Sequence, residues 1–424
     1  MAWLPLDPAL LRVGLYIKID HAWMQHPFVR NTFTISSPTE IAIIQKHRLT
    51  KLFYDPVLSH ADVVETLNDP SLPVTVFEVD ADLAEDIDSD EKALLREKSI
   101  HIQRVVDHWK AVDTAARDYI QAANETAVMI AMANAGQPEC LKSAEHILQS
   151  ITKVLDDASV GLTLVSTVNP ADEGQEMAMQ AISTTAMSML TCKTLKINDE
   201  ERHFLGMGAL FHNIGMNRIP LAIRLKTDYL LPVEQKLLQM YPQFGKEILG
   251  NIPGVPQEVI EVVYQHRECL DGTGFPKRLI AAEISPLARL VGLVVEFTHL
   301  TNGRQRGRNL SATQALSQIY VNMKPKYGPD MIEAFIASVT VFPPGSFVQL
   351  NEGSYGLVVK SNTQERLRPV IMLYEPDASH NQAAIIDLMR ERSLSILKSI
   401  DEKAIPSRIK EVLNRHRFKG YAIS

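Results

Sequence analysis

The sequence predicts a mainly α protein: a helical bundle, preceded by a small α+β domain and followed by a short β segment and a helical tail. Three observations predict it. Apolar residues recur with helical period through residues 138–340. The stretches Val13–Ile19 and Thr50–Asp55 alternate as strands do. After Val341, Pro and Gly break the chain into short apolar runs.

The first domain is expected over residues 1–78. Val13-Gly14-Leu15-Tyr16-Ile17-Lys18-Ile19 reads as a strand, and Thr50-Lys51-Leu52-Phe53-Tyr54-Asp55 as a second. Between them Ser37-Pro38-Thr39-Glu40 opens a helix, with Ser37 as N-cap and Pro38 at the first helical position. The aromatics Trp23, Phe28 and Phe33 are expected to pack in its core. Residues 79–137 are read as an acidic linker and a helix. The acids Glu78, Asp80, Asp82, Glu85, Asp86, Asp88, Asp90 and Glu91 match no calcium-loop spacing and are taken as solvated. His101 and His108 share a helix face but lack the i, i+4 partner of a metal pair, so they are read as structural.

The bundle follows over residues 138–340. Met177, Ile182, Ala186, Met189 and Leu190 form one apolar stripe, and Leu205, Leu210, Phe211 and Ile214 another. Gly206 and Gly208 weaken the second helix and point to close helix packing. Residues 341–375 read as three short strands: Phe342–Leu350, Tyr355–Val359 and Pro369–Leu373. Residues 376–424 are read as a basic helical tail. From Asp387 onward it has nine Lys/Arg against five acids, which suits a solvated face or a contact for the acidic stretch.

Composition bounds the function. With 424 residues there is room for two or three cores. A formal charge of −7 gives no general attraction to nucleic acid or to an anionic membrane. Cys140, Cys192 and Cys269 lie far apart, which suits a reducing cytosol and excludes a Cys-x-x-Cys zinc site. The start Met1–Asp7 lacks the basic and apolar stretches of a signal peptide, and the best apolar stretch, Leu287–Leu300, carries Arg289 and Glu296. The expectation is a cytoplasmic protein with no membrane insertion.

Two segments carry the chemistry: Gly208-Ala209-Leu210-Phe211-His212-Asn213-Ile214-Gly215, and Gln265-His266-Arg267-Glu268-Cys269-Leu270-Asp271-Gly272-Thr273-Gly274-Phe275-Pro276. They resemble the HD-GYP family, bacterial metal-dependent phosphodiesterases that hydrolyse cyclic di-GMP. There the first segment reads His-Asp-Ile-Gly-Lys and the second His-His-Glu-x-x-Asp-Gly-x-Gly-Tyr-Pro. The resemblance implies an HD-type helical bundle over nearly half of the chain. Residues 11–55 are similar to the uncharacterised module that often precedes such domains.

The resemblance also implies a metal site, and this chain departs from it. The first family histidine falls at Met177, with Glu173 one turn earlier as a substitute carboxylate. The His-Asp pair is His212-Asn213, and the lysine after Gly215 is Met216. A later histidine falls at Tyr241. Of the paired histidines the first is read as Gln265, the second as His266, and the glutamate as Arg267. The late aspartate falls at Glu296. His212, His266, Glu296 and Glu173 are thus the remnant metal ligands. A thioether serves a hard-cation site poorly, and Asn213 keeps the shape of an aspartate but not the negative charge that bridges two cations. So no cofactor is expected, or at most a single iron, manganese or zinc ion.

The phosphate-contacting side is better kept. Lys226, Arg289 and Arg306, flanked by Arg304 and Arg308, fit family cations, and the loop Asp271, Gly272, Gly274 and Phe275 keeps its form. Replacing Arg224 is expected to do little. Three readings follow from the resemblance. The first is a degenerate, catalytically inactive signalling protein that binds a protein partner and cyclic di-GMP. The second is an active cyclic di-GMP phosphodiesterase with a non-standard site, and the third a scaffold that binds neither metal nor nucleotide.

Overall fold

The alternation at Leu15, Ile17 and Ile19 buries those side chains completely and forms strand β2 (Tyr16–Ile19). In the computed structural model, which describes residues 3–21, 25–28, 30–67, 81–155, 176–226, 228–302, 310–362, 364–374, 384–400 and 404–418, β2 lies in a four-stranded antiparallel sheet. Its partners are β1 (Leu4–Leu6), β3 (Thr32–Thr34) and β4 (Leu52–Tyr54), in the order β1-β4-β2-β3. Helix α1 (Pro38–Lys46) begins as its sequence dictates. Ser37 Oγ accepts the Glu40 N–H at 3.3 Å, Pro38 opens the first turn, and Ile41, Ile43 and Ile44 enter the core with β2. Helix α2 (Ala61–Leu67) follows. Trp23 lies outside the described residues.

The acidic stretch is helical from residue 81 onward, as the start of the 54-residue helix α3 (Ala81–Asn134). Its acids are not all left to water. Lys46 at the end of α1 pairs with Asp88 at 2.6 Å and with Glu91 at 2.7 Å, and His47 bonds Glu91 at 2.7 Å. The side chains of His101, His108 and Trp109 lie outside the described ones.

The bundle comprises α4 (Glu139–Leu155), α5 (Glu176–Leu195), α6 (Asp199–Phe211), α7 (Leu221–Arg224), α8 (Pro232–Leu238), α9 (Tyr241–Gly250), α10 (Gln257–Gln265), α11 (Pro286–Asn302), α12 (Ala312–Asn322), α13 (Lys324–Tyr327) and α14 (Pro329–Val339). The apolar stripes are buried at Ile182, Ala186, Met189 and Leu190 on α5 and at Leu205, Leu210, Phe211 and Ile214 on and just after α6, while Met177 at the start of the first stripe is half-buried. A Cβ at Gly208 would strike the Val262 side chain, so α6 and α10 pack at a separation that glycine permits. That close packing brings the C-terminal ends of these two helices together.

A five-stranded sheet closes the chain, in the order β8-β7-β6-β5-β9. Strands β5 (Phe347–Leu350), β6 (Tyr355–Lys360) and β7 (Val370–Leu373) fall where three were expected. The tail differs from its helical reading. It supplies two more strands, β8 (Ala384–Asp387) and β9 (Ile396–Ile400), before helix α15 (Ser407–Phe418). Ile385, Ile386 and Leu388 form a short apolar run that periodicity cannot assign between helix and strand, and pairing with β7 decides it.

The chain divides into two units. One contains Met1–Trp109, Phe347–Leu357 and Val370–Ser424; the other contains Lys110–Ser346 and Val358–Pro369. Within the first, a buried clasp joins the opening strands to the closing ones. The Arg30 guanidinium, 4% exposed, lies 3.1 Å from Glu391 and 3.7 Å from Glu352. The Tyr16 hydroxyl donates to Glu352 at 2.6 Å, and burial with that carboxylate pushes its pKa up to about 12. Among the described residues no helix is long and apolar enough to cross a membrane.

His26 makes the first unit sensitive to acid. It is 2% exposed, its Nε2 bonds Asn31 Oδ1 at 2.9 Å, and Lys98 donates to its backbone carbonyl at 2.9 Å. Burial, with the Lys98 charge adding, lowers its pKa to about 4. Between that value and the ordinary one near 6.5 the unfolded chain binds a proton that the folded chain does not. Stability therefore falls as pH falls through this window, by about 3 kcal/mol at most from this group. Urea unfolding from pH 7 to pH 4 should show the loss, and His26→Gln should flatten it.

Candidate functional site

Two histidines sit at equivalent places on the paired helices. His212 follows the last turn of α6 and His266 that of α10, and both are buried. Each donates through Nδ1 to the carbonyl three residues back: His212 to Ala209 at 2.7 Å and His266 to Val263 at 2.8 Å. This bond fixes the tautomer and leaves the lone pair on Nε2. Burial lowers the His212 pKa to about 4 against the pull of the Ala209 carbonyl, with the Arg267 charge adding. Burial, then the nearby His212 and Arg267, hold His266 well below the usual imidazole range. Both rings are therefore neutral near pH 7. They meet edge to face with centroids 5.4 Å apart.

The two lone pairs have different fates. The Tyr241 hydroxyl donates to His266 Nε2 at 2.7 Å, so that nitrogen is already engaged. Tyr241 opens α9 and is placed there by Gly215, because a Cβ at Gly215 would run into the Tyr241 carbonyl and the Gly245 amide. Beside His212, the Asn213 amide donates to the Met177 carbonyl at 2.8 Å, while Asn213 Oδ1 is buried with no partner. Met177 Sδ accepts from Arg224 Nη1 at 3.1 Å.

Arg267 brings a permanent charge into this cluster. Its guanidinium lies 3.7 Å from Glu296, 5.3 Å over the Phe275 ring and 3.5 Å from His299 Nδ1. Burial opposes its charge, but Tyr241, Tyr327 and Glu296 outweigh burial and raise its pKa.

Glu268 was passed over in the sequence reading, although the motif spacing points to it. Counted back from Asp271, the two-residue gap places the motif's glutamate at Glu268 and its paired histidines at His266 and Arg267. Gln265 therefore precedes the motif, and its Oε1 accepts the Ser285 N–H at 2.7 Å just before α11. Glu268 is 1% exposed and accepts the N–H groups of Lys277 at 2.6 Å and Leu279 at 2.9 Å. It anchors the loop in which Asp271 accepts from the Thr273 N–H and hydroxyl.

The remaining expected residues are placed as follows. Lys226 pairs with Glu234 at 2.6 Å. Arg289 Nε is buried without a partner, and burial lowers its pKa against the Asp330 charge. Gly272, Gly274 and Phe275 line a cavity of about 810 Å³ with Lys236, Met240 and Arg278. Glu173, Arg304, Arg306 and Arg308 lie outside the described residues. Among the described residues no three His, Cys, Asp or Glu side chains converge as a metal site. Among the described residues of this cluster, the groups that offer donors to an ion are His212 Nε2, Asn213 Oδ1 and Glu296, and Glu296 is shared with Arg267.

Known families match along most of the chain. An HD domain matches residues 164–331, a domain of unknown function (DUF3391) residues 6–144, and a KOW domain associated with HD domain residues 347–408. The chain is 24% identical over 369 residues to the cyclic di-GMP phosphodiesterase PA4108 of Pseudomonas aeruginosa, covering 86% of this chain and 83% of that protein. It is 25% identical to the cyclic di-GMP phosphodiesterase response regulator RpfG of Xanthomonas campestris, over 46% of this chain and 52% of that one. A solved HDG"Y"P protein, Bd1817 of Bdellovibrio bacteriovorus, covers 79% of this chain and 98% of its own at 16% identity and a TM-score of 0.41, too distant to support a structural argument.

These relatives correct one expectation. HD-GYP phosphodiesterases are metal-dependent, so the expectation of no cofactor does not stand.

The tyrosine–histidine bond yields a direct test. Tyr241→Phe leaves the His266 lone pair buried and unmet, which should cost about 1–3 kcal/mol in urea unfolding. An unchanged unfolding free energy would mean that water replaces the hydroxyl.

Proposed function

The chain belongs to the HD-GYP type of HD-domain proteins, and from that premise we propose that it is a signalling protein that binds cyclic di-GMP without hydrolysing it. The observation that carries this reading is Arg267. Where the motif has a second histidine, the chain has a half-buried guanidinium paired with Glu296. That exchange removes one donor nitrogen and adds a positive charge that repels an incoming cation. Asn213 adds to the effect, because an amide lacks the negative charge with which a carboxylate bridges two cations. A metal centre, when bound, would supply a Lewis acid for the phosphate and an activated water. Here the ion would rely on His212, Asn213 and Glu296 and would compete with Arg267. The nucleotide would be held by Lys226, Arg289, Arg306 and the loop Asp271–Phe275, and the output would pass to a protein partner.

A second reading is an active phosphodiesterase with a non-standard site. The unpartnered Asn213 Oδ1 and the Nε2 lone pair of His212 favour it, since both are donors that an ion could use.

The deciding experiment loads anaerobically purified protein with manganese or iron and follows cyclic di-GMP by chromatography. The expected outcome is no pGpG and no GMP. Product that disappears in His212→Ala would overturn the first reading in favour of the second. Asn213→Asp alone should also remain inactive, because the groups of a two-metal site act as a unit. Turnover from that single change would mean that Arg267 is no obstacle.

A further inference from the structure

We propose that Arg224 is an anion-binding residue of this site and that its anion is a phosphate of the bound cyclic dinucleotide. The assignment rests on the reading above that the site takes such a ligand.

Arg224 ends the short helix α7 and is half-buried. Among the described residues its one hydrogen-bond partner is a thioether: Nη1 lies 3.1 Å from Met177 Sδ. Its Nε is buried with no partner at all, and among the described residues no carboxylate pairs with it. A guanidinium carries five N–H donors and a permanent charge, whereas a thioether is a weak acceptor. Buried donors left unmet are costly, so a folded chain rarely keeps one without a purpose. The neighbouring cations show that pairing is within reach of this segment. Arg218 pairs with Glu247 at 2.6 Å and Lys226 with Glu234 at 2.6 Å. Arg224 alone among these three has no acid.

Its location gives the unmet guanidinium a meaning. Met177 stands where the first histidine of the family motif falls, and its carbonyl holds the Asn213 amide beside His212. Arg224 and Asn213 thus meet at Met177, one on its sulfur and the other on its carbonyl, and Asn213 Oδ1 is a second buried polar atom without a partner. The guanidinium fork can give two parallel N–H bonds to two oxygens of one phosphate. A phosphodiester is an anion at every physiological pH, so it satisfies the charge as well as the donors. The expectation that replacing Arg224 does little is therefore revised.

The test is calorimetric titration of the full chain with cyclic di-GMP and, separately, with inorganic phosphate. Wild type is compared with Arg224→Ala, Arg224→Lys and the control Arg218→Ala. Arg224→Ala should weaken cyclic di-GMP binding about tenfold or more, and Arg224→Lys should weaken it less, since it keeps the charge but loses the fork. Arg218→Ala should bind as wild type does. Without ligand, the thermal midpoint of Arg224→Ala should equal or exceed that of wild type, because an unmet guanidinium has been removed. Equal affinity in wild type and Arg224→Ala would overturn the assignment. So would a wild type that binds neither cyclic di-GMP nor phosphate. If Arg224→Ala does not fold, the loss in Arg224→Lys carries the test, and full retention there overturns the proposal. The two readings fail separately. A chain that produces pGpG yet loses binding in Arg224→Ala would keep this assignment while removing the inactive reading.

Discussion

A permanent positive charge among neutral imidazoles is the constraint around which the HD site is arranged. Arg267 cannot shed its proton, so every group near it must tolerate or answer that charge. Glu296 answers it directly, and Phe275 offers the face of its ring. The imidazoles respond by remaining neutral, each locked by the carbonyl one turn back. Tyr241 completes the arrangement by donating to the one lone pair that faces it, His266 Nε2. These four answers form a self-consistent polar network, and such networks are costly to break at any single member.

The helices supply the precision. Because α6 and α10 approach to the distance that Gly208 permits, their C-terminal ends present His212 and His266 at matching depth. The 3-10 turn after His212 packs on the start of α9 without a side chain at Gly215, and this sets Tyr241 against His266. Position is thus encoded mainly in small residues, and chemistry in a handful of large ones.

Much of this was legible in the sequence. Ser37 and Pro38 mark the start of α1, alternation marks β2 and β4, and the apolar stripes of α5 and α6 are core. The strands β8 and β9 were not legible, because a short apolar run becomes a strand only when a neighbour such as β7 pairs with it. In the site, Glu268 was legible from spacing, since the gap to Asp271 is fixed by the motif, but the paired residues were placed one position early and the glutamate was assigned to Arg267. The roles of Tyr241 and Arg224 could not be read. Both depend on which atom of another element lies within bonding distance, His266 Nε2 for one and Met177 Sδ for the other, and one-dimensional spacing carries no such information.

The clasp between Arg30, Tyr16, Glu352 and Glu391 has a consequence for the order of assembly. Tyr16 and Glu352 bond across 336 positions of sequence, and Arg30 is almost fully enclosed by partners made late in synthesis. During translation the opening strands emerge first and must wait, with a charged guanidinium unanswered, while the whole helical bundle is made. Closure over so long a loop is slow for reasons of chain entropy. The bundle, whose contacts are nearer in sequence, can consolidate in the meantime. The opening strands, made before the bundle, are then among the last elements to reach their final structure.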